Sequence, residues 1–283
     1  MIAAIRLLRP KQWIKNGFVF APLFFAHVFT QYESWLRSLE AAAAFICVSC
    51  VVYIINDIRD IEEDKLHPKK SKRPLAAGEM AVSQAIALAV VIAAGGAALL
   101  TLLPFECTVI VAVYLVLNFF YTMVLKHIAL LDIFFIASCY VLRVLMGCYA
   151  LQVTVSPWII LTTFLLALFL GFGKRYHEMG FEDYVSNKAN LKQYSRPLLD
   201  KLVVITGGAA LMAYAIYTTE IAQQLGRVEI VYTLAFVAFG LFRYLQMIYV
   251  YDQGGEPESV ILKDRWQLVN VLLWLGVTLA IIS

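Results

Sequence analysis

Apolar residues in this chain arrive in long blocks rather than at the spacing of a half-buried surface helix. Stretches at about 12–31, 39–58, 81–103, 106–125, 129–150, 157–174, 201–220, 230–250 and 266–282 are each long enough to cross a ~30 Å hydrocarbon core as helices. Two kinds of separator lie between them. Short, weakly charged turns occupy 31–38, 104–105, 151–156 and 221–229, and longer charged loops occupy 59–80, 126–128, 175–200 and 251–265. Backbone polar groups inside lipid must be satisfied within their own segment, so the pattern predicts an all-α polytopic membrane protein with nine transmembrane helices.

Composition agrees with the pattern. Of 283 residues, 61% are hydrophobic and 15% charged, and the mean hydropathy is +0.76, far from the soluble balance of about 25% charged residues. The charge of +3 is small and its signs are mixed, which excludes the basic face that nucleic acid needs. Of the 23 Lys and Arg residues, only Arg37, Arg227 and the mid-span Arg143 fall outside the amino-terminal segment, the charged loops and the helix ends beside them. By the positive-inside rule these charged parts are cytoplasmic, and nine spans then leave Ser283 outside a multi-pass cell membrane protein. Arg6, Arg9, Lys11 and Lys15 before an apolar run resemble a signal peptide, but without a small-residue cleavage site the run reads as an anchored first helix. The five cysteines lie in apolar segments and read as packing residues, Cys47 and Cys50 included.

The densest chemistry runs from Tyr53 to Gly78. If a helix continues to about Leu66, Asn56, Asp60 and Asp64 recur at i, i+4 and i+8 and share one face. Successive members are then roughly 6 Å apart along the axis. That is too far to share one ion, but it suits two divalent ions with a phosphate chain between them, and magnesium prefers few carboxylates plus substrate oxygens. Lys65, Lys69, Lys70, Lys72 and Arg73 follow as partners for phosphate oxygens. The alternative is a solvated helix end with balanced charge.

Further polar groups need partners. Arg143 costs about 2.5–3.5 kcal/mol at mid-span and is expected to face the interior. It either shares a polar cavity with Asp132, eleven residues earlier, or pairs with a carboxylate or carbonyl to hold the bundle. Tyr121 and Lys126 close the fourth span, Lys11 and Lys15 open the first, and together they are expected around one cytoplasmic mouth. Lys174, Arg175 and Glu178 end the sixth span, with Lys188, Lys192 and Arg196 beyond, and suit anion binding or the helix dipole. Glu256, Glu258, Lys263, Asp264 and Arg265 make the last charged loop either a lid or a solvated turn. The histidines show no ligand spacing, and no nucleophile-elbow, Walker or dinucleotide motif is present.

With Asn56, Asp60 and Asp64 closing the second span and RPLAAG at 73–78, the chain resembles the UbiA-type intramembrane prenyltransferase superfamily over nearly its whole length. The resemblance implies one transmembrane domain over 1–283, helices around a central cavity, and Mg2+ on those three residues gripping a diphosphate at the cytoplasmic mouth. Loops 59–80, 126–128, 175–200 and 251–265 would then cap the site. Most members carry a second Asp-rich motif where this chain has Lys174, Arg175 and Glu178. That departure, with RPKQWIKN at 9–16, NDIRDIEEDKLHP at 56–68, LKHIALLD at 125–132 and LGFGKRYHE at 170–178, resembles the branch acting on decaprenyl phosphate. PES-x-x-L-x-DR at 257–265 fits it too.

For that branch the resemblance implies transfer of phosphoribosyl from 5-phosphoribosyl 1-diphosphate to a polyprenyl phosphate, for cell-wall arabinan precursors. A homo-oligomer in the bilayer is compatible with it. The implied roles put Asn56, Asp60 and Asp64 on metal. By position, Lys15, Arg73, Tyr121, Lys126 and Arg143 are expected to orient the sugar phosphate groups and Lys174 with Arg175 to hold the lipid phosphate, with Tyr53 and Glu178 as further substrate-binding residues. Alternatives are an aromatic prenyltransferase and a lipid-binding or transport protein without covalent chemistry.

Overall fold

The computed structural model describes residues 2–66, 70–181, 190–251, 254–255, 260 and 263–282. In chain order the α-helices are α1 (Ile2–Leu7), α2 (Ala21–Phe25), α3 (Tyr32–Arg59), α4 (Ile61–Leu66), α5 (Val82–Leu100), α6 (Phe105–Met123), α7 (Leu131–Ala150), α8 (Pro157–Glu178), α9 (Arg196–Leu225), α10 (Leu234–Tyr249) and α11 (Arg265–Ile282). Shorter 3-10 segments join several of them, and no strand occurs among the described residues. The fold class is all-α, as the apolar blocks require.

Among the described residues, seven helical stretches are long and apolar enough to cross a membrane: α3, α5, α6, α7, α8, α9 and Val228–Tyr249. The last apolar block forms the shorter α11. The expected count of nine is not reproduced, and the first block is the clearest difference. It folds as a 3-10 segment over Pro10–Phe20 followed by the short α2, and Pro22 at the start of α2 has no N–H to join the two in one i→i−4 ladder. A 3-10 helix rises ~2.0 Å per residue, so 10–25 still extends about 30 Å.

Contacts group the chain into two compact units, Met1–Thr122 with Leu142–Thr154, and Met123–Val141 with Val155–Ser283. In the first, α3 packs along α5, and Gly96 allows the approach: a Cβ there would lie 3.0 Å from Cys47 Cβ. Gly147 of α7 lies on the backbone of the 3-10 segment, where an added Cβ would fall 2.1 Å from Val19 O. Leu7, Ile54, Leu75 and Ala85 form a small core. It seats the 73–78 turn against the end of α3, and Gly78 completes that turn at φ 71, a left-handed value that glycine adopts without cost. Val90 and Val91 on α5 remain exposed, as lipid-facing residues should.

In the second unit α8 and α9 pack along each other. Phe169, Phe172, Leu199, Val203, Tyr244 and Ile248 make its core, and Gly207 meets the Phe169 ring. Both long helices begin on a serine cap with a proline in the first turn: Ser156 Oγ accepts from Trp158 N and Ser195 Oγ from Leu198 N. These caps satisfy amides that the first helical turn leaves unpaired.

Candidate active site

The acidic row does not sit on one uninterrupted helix. α3 ends at Arg59, Asp60 turns at φ −93 and ψ 15, and α4 starts at Ile61. Asp60 N still donates to Asn56 O (2.9 Å) and Asp64 N to Asp60 O (2.8 Å), so the i, i+4, i+8 alignment survives the break. The break has an electrostatic reason. Glu62, Glu63 and Asp64 fall in the first turn of α4, the end a helix dipole favours for carboxylates, instead of at the tail of a longer helix.

Asn56 Oδ1 accepts from Thr122 Oγ1 (3.1 Å). Asp64 is 1% exposed; its Oδ2 accepts from Arg73 Nη1 (2.6 Å), and Lys70 Nζ stands 3.5 Å from Oδ1. Asp57, which the four-residue spacing passes over, is the other buried carboxylate here, at 2% exposed. Its Oδ1 takes both Arg9 Nη2 and Arg73 Nη1, the latter at 3.0 Å. Arg9 also lies over the Tyr53 ring, 5.1 Å from its centroid. A charged residue directly after Asn56 in an apolar helix was the available signal, since a buried carboxylate must find cations.

Arg143 is buried and meets a side-chain amide and two aromatic rings within the first unit. Its Nε donates to Asn16 Oδ1 (2.9 Å), and the guanidinium packs on Phe45 (4.9 Å) and Tyr114 (5.4 Å). Planar, weakly hydrated guanidinium suits aromatic faces in a dry setting. Lys15 adjoins Asn16 in the 3-10 segment and is half-buried, as is Tyr121 near the end of α6.

In the second unit Asp132 is fully buried and engages partners other than Arg143. It accepts from Arg175 Nε (2.9 Å), Asn190 Nδ2 (2.7 Å) and Tyr194 OH (3.0 Å), while Glu178 holds Arg175 Nη1 at 2.6 Å. Burial and the Asp132 charge push the Tyr194 hydroxyl above its ordinary pKa, so it stays a donor. Gln193 also bridges Ala129 N and His127 O, fastening the far end of the 175–200 loop to the 126–132 turn. Lys126 sits in that turn and Lys174 near the end of α8, both half-buried. Arg243 grips Asp264 with two nitrogens, and that hydrogen bonding lowers the Asp264 pKa below the usual carboxylate value. Lys69, Lys188, Glu256 and Glu258 lie outside the described residues.

Asn56, Asp60 and Asp64 offer only hard oxygen donors, which magnesium requires, and Asp64 Oδ1 is buried with no hydrogen-bond partner. Among the described residues no three His, Cys, Asp or Glu side chains converge on one point. The donors are strung along a row and leave most positions to other oxygens, and on that chemistry the residues fit the ion.

Comparison with known proteins brings the site into a family. The model of the UbiA prenyltransferase family matches residues 18–280. The decaprenyl-phosphate phosphoribosyltransferase of Mycolicibacterium smegmatis is 31% identical, covering 96% of this chain and 90% of that protein. The enzyme of the same name from Corynebacterium glutamicum is 31% identical over 95% of this chain and 83% of its own. Among solved structures, a UbiA homolog from Archaeoglobus fulgidus bound to GPP and Mg2+ superposes with a TM-score of 0.75 at 17% identity, covering 99% of both chains. With a family model spanning most of its length and an all-helical, multi-pass fold to match, this chain is an enzyme of the UbiA prenyltransferase family.

Proposed function

We propose that this enzyme transfers the 5-phosphoribosyl group of 5-phosphoribosyl 1-diphosphate to a polyprenyl phosphate at the cytoplasmic leaflet, releasing diphosphate. The product is a lipid-linked pentose phosphate suited to arabinan precursor synthesis. The observation that carries the choice is at the end of α8. Asp132 and Glu178 are both committed to Arg175, so this corner presents held cations where a second metal grip would need open carboxylates. Its relatives with the phosphoribosyltransferase name, similar over nearly the whole chain, support the same reading.

The chemistry needs little from the protein beyond binding and charge. An oxygen of the lipid phosphate forms a bond to ribosyl C1 while the C1–O bond to diphosphate breaks, and the diphosphate leaves with the electron pair. That nucleophile is already an anion, so no side chain need remove a proton. Asn56, Asp60 and Asp64 would hold Mg2+, which when bound supplies positive charge beside the departing diphosphate. Lys15, Tyr53, Arg73, Tyr121, Lys126 and Arg143 orient the donor's phosphates and sugar, and preformed positive charge favours the transition state. Lys174 takes the lipid phosphate. Arg175, gripped on both sides, sets the shape of that corner with Glu178.

Purified protein given labelled donor should make an organic-extractable product only when polyprenyl phosphate and magnesium are both present, and Asp60→Asn should abolish it. Transfer of a prenyl group from a prenyl diphosphate to an aromatic acceptor, with no pentose product, would overturn the assignment.

A further inference from the structure

Arg73 stands between two carboxylates with different prospects. Its Nη1 lies 2.6 Å from Asp64 Oδ2 and 3.0 Å from Asp57 Oδ1. Asp64 belongs to the row that fits a divalent ion and keeps Oδ1 without a hydrogen bond. Asp57 is buried on the α3 side and carries Arg9 on the same oxygen that takes Arg73. A divalent cation on Asp64 would repel a guanidinium at hydrogen-bond distance, so Arg73 must then give up that contact. Because it already touches Asp57, a small shift toward that carboxylate keeps it paired. The turn that carries Arg73 is anchored through buried Leu75 in the small core with Ile54, which keeps the Arg73 backbone in place beside Asp57.

We propose that Asp57 is a positioning residue for the metal site: it draws Arg73 away from Asp64 and so leaves that carboxylate to a divalent ion, without ligating the ion itself. This inference rests on the reading of Asn56, Asp60 and Asp64 as metal donors. Without the Asp57 charge, Arg73 has Asp64 as its remaining carboxylate and competes with the ion for it. Without Arg73, its competition with the ion disappears; Lys70 stays beside Asp64 Oδ1 in every variant, and Asp57 loses the arginine through which it acts.

The test uses the full purified chain in detergent, with Mn2+ as the probe and its binding followed by electron paramagnetic resonance, independent of turnover. Asp57→Asn should weaken Mn2+ binding about tenfold, the size of effect that partners behind metal ligands produce. Arg73→Gln should tighten it, and Asp57→Asn with Arg73→Gln should match Arg73→Gln alone. A plain structural ion pair would not yield opposite signs that merge in the double variant. Should Asp57→Asn bind Mn2+ as the wild type does, or Arg73→Gln bind it more weakly, the inference is overturned; if Asp57→Asn fails to fold, the Arg73→Gln arm decides alone. Asp60→Asn separates the two readings. If it loses Mn2+ while Asp57→Asn keeps it, only the positioning role falls, and if it binds as the wild type does, the metal assignment falls with it.

Discussion

Replacing Asp132 by asparagine isolates the most heavily used carboxylate in the second unit. Its two oxygens take Arg175 through Nε and Nη2, both at 2.9 Å, together with Asn190 and Tyr194, and the side chain is fully buried. Asparagine keeps the volume but removes the charge and turns one acceptor into a donor facing donors. Removing one partner of a buried ion pair costs about 3–5 kcal/mol. Glu178 still holds Arg175 at 2.6 Å, which places the expected loss at the lower end, ~3 kcal/mol. Arg175→Met should cost a similar amount, because it strands both carboxylates. The double variant buries neither the cation nor the Asp132 charge, so its loss should fall short of the sum by about 2 kcal/mol, within the range for residues in one network. Reversible unfolding in mixed micelles, followed by tryptophan fluorescence, measures all four proteins. A single-variant loss below ~1 kcal/mol, or additivity within the ~0.5 kcal/mol typical of independent sites, would refute the account of this cluster.

Other outcomes follow from particular contacts. Gly147→Ala puts a methyl group into the Val19 carbonyl, which cannot rotate away as a side chain would, and should destabilise by about 3 kcal/mol or more. Gly208→Ala, with nothing within 4 Å, should be neutral or raise the melting temperature through helix propensity. Because Arg243 lowers the Asp264 pKa, the stability from that pair is complete above the unfolded carboxylate value of about 3.9 and lost as pH falls further, through the folded value. The melting-temperature gap between wild type and Asp264→Asn should therefore hold steady above about pH 5 and shrink below about pH 4. Arg143→Lys should not restore what Arg143→Ala loses, in melting temperature or donor KM, because an ammonium cannot lie flat on Phe45 and Tyr114 while donating to Asn16.

Membrane spans were the most legible feature of this chain, since insertion depends on apolar content summed along a segment, a property local in sequence. Helices α5 to α8 lie within a few residues of the apolar blocks, while α3 and α9 run on by one to two turns through polar or charged ends that hydropathy cannot assign. The first block is divided into a 3-10 segment and α2 with Pro22 at the junction, a conformational matter that average hydropathy ignores. The acidic row kept its four-residue backbone bonding through the break at Asp60, which the spacing alone made legible. Asp57 escaped that spacing, and its importance lies in contacts rather than periodicity.

Charge pairing marks the boundary between the two kinds of knowledge. Which residues carry charge, and that most of them flank the apolar blocks, follows from the chain alone because lipid excludes charge from the blocks. Which charges meet does not: Arg9 is 48 residues from Asp57, Arg175 is 43 from Asp132, and Arg143 is 127 from Asn16. Several cations could neutralise each carboxylate equally well in one dimension. Only packing, by bringing the 73–78 turn under α3 and the end of α8 beside the start of α7, makes one pairing cheap and leaves the others out of reach.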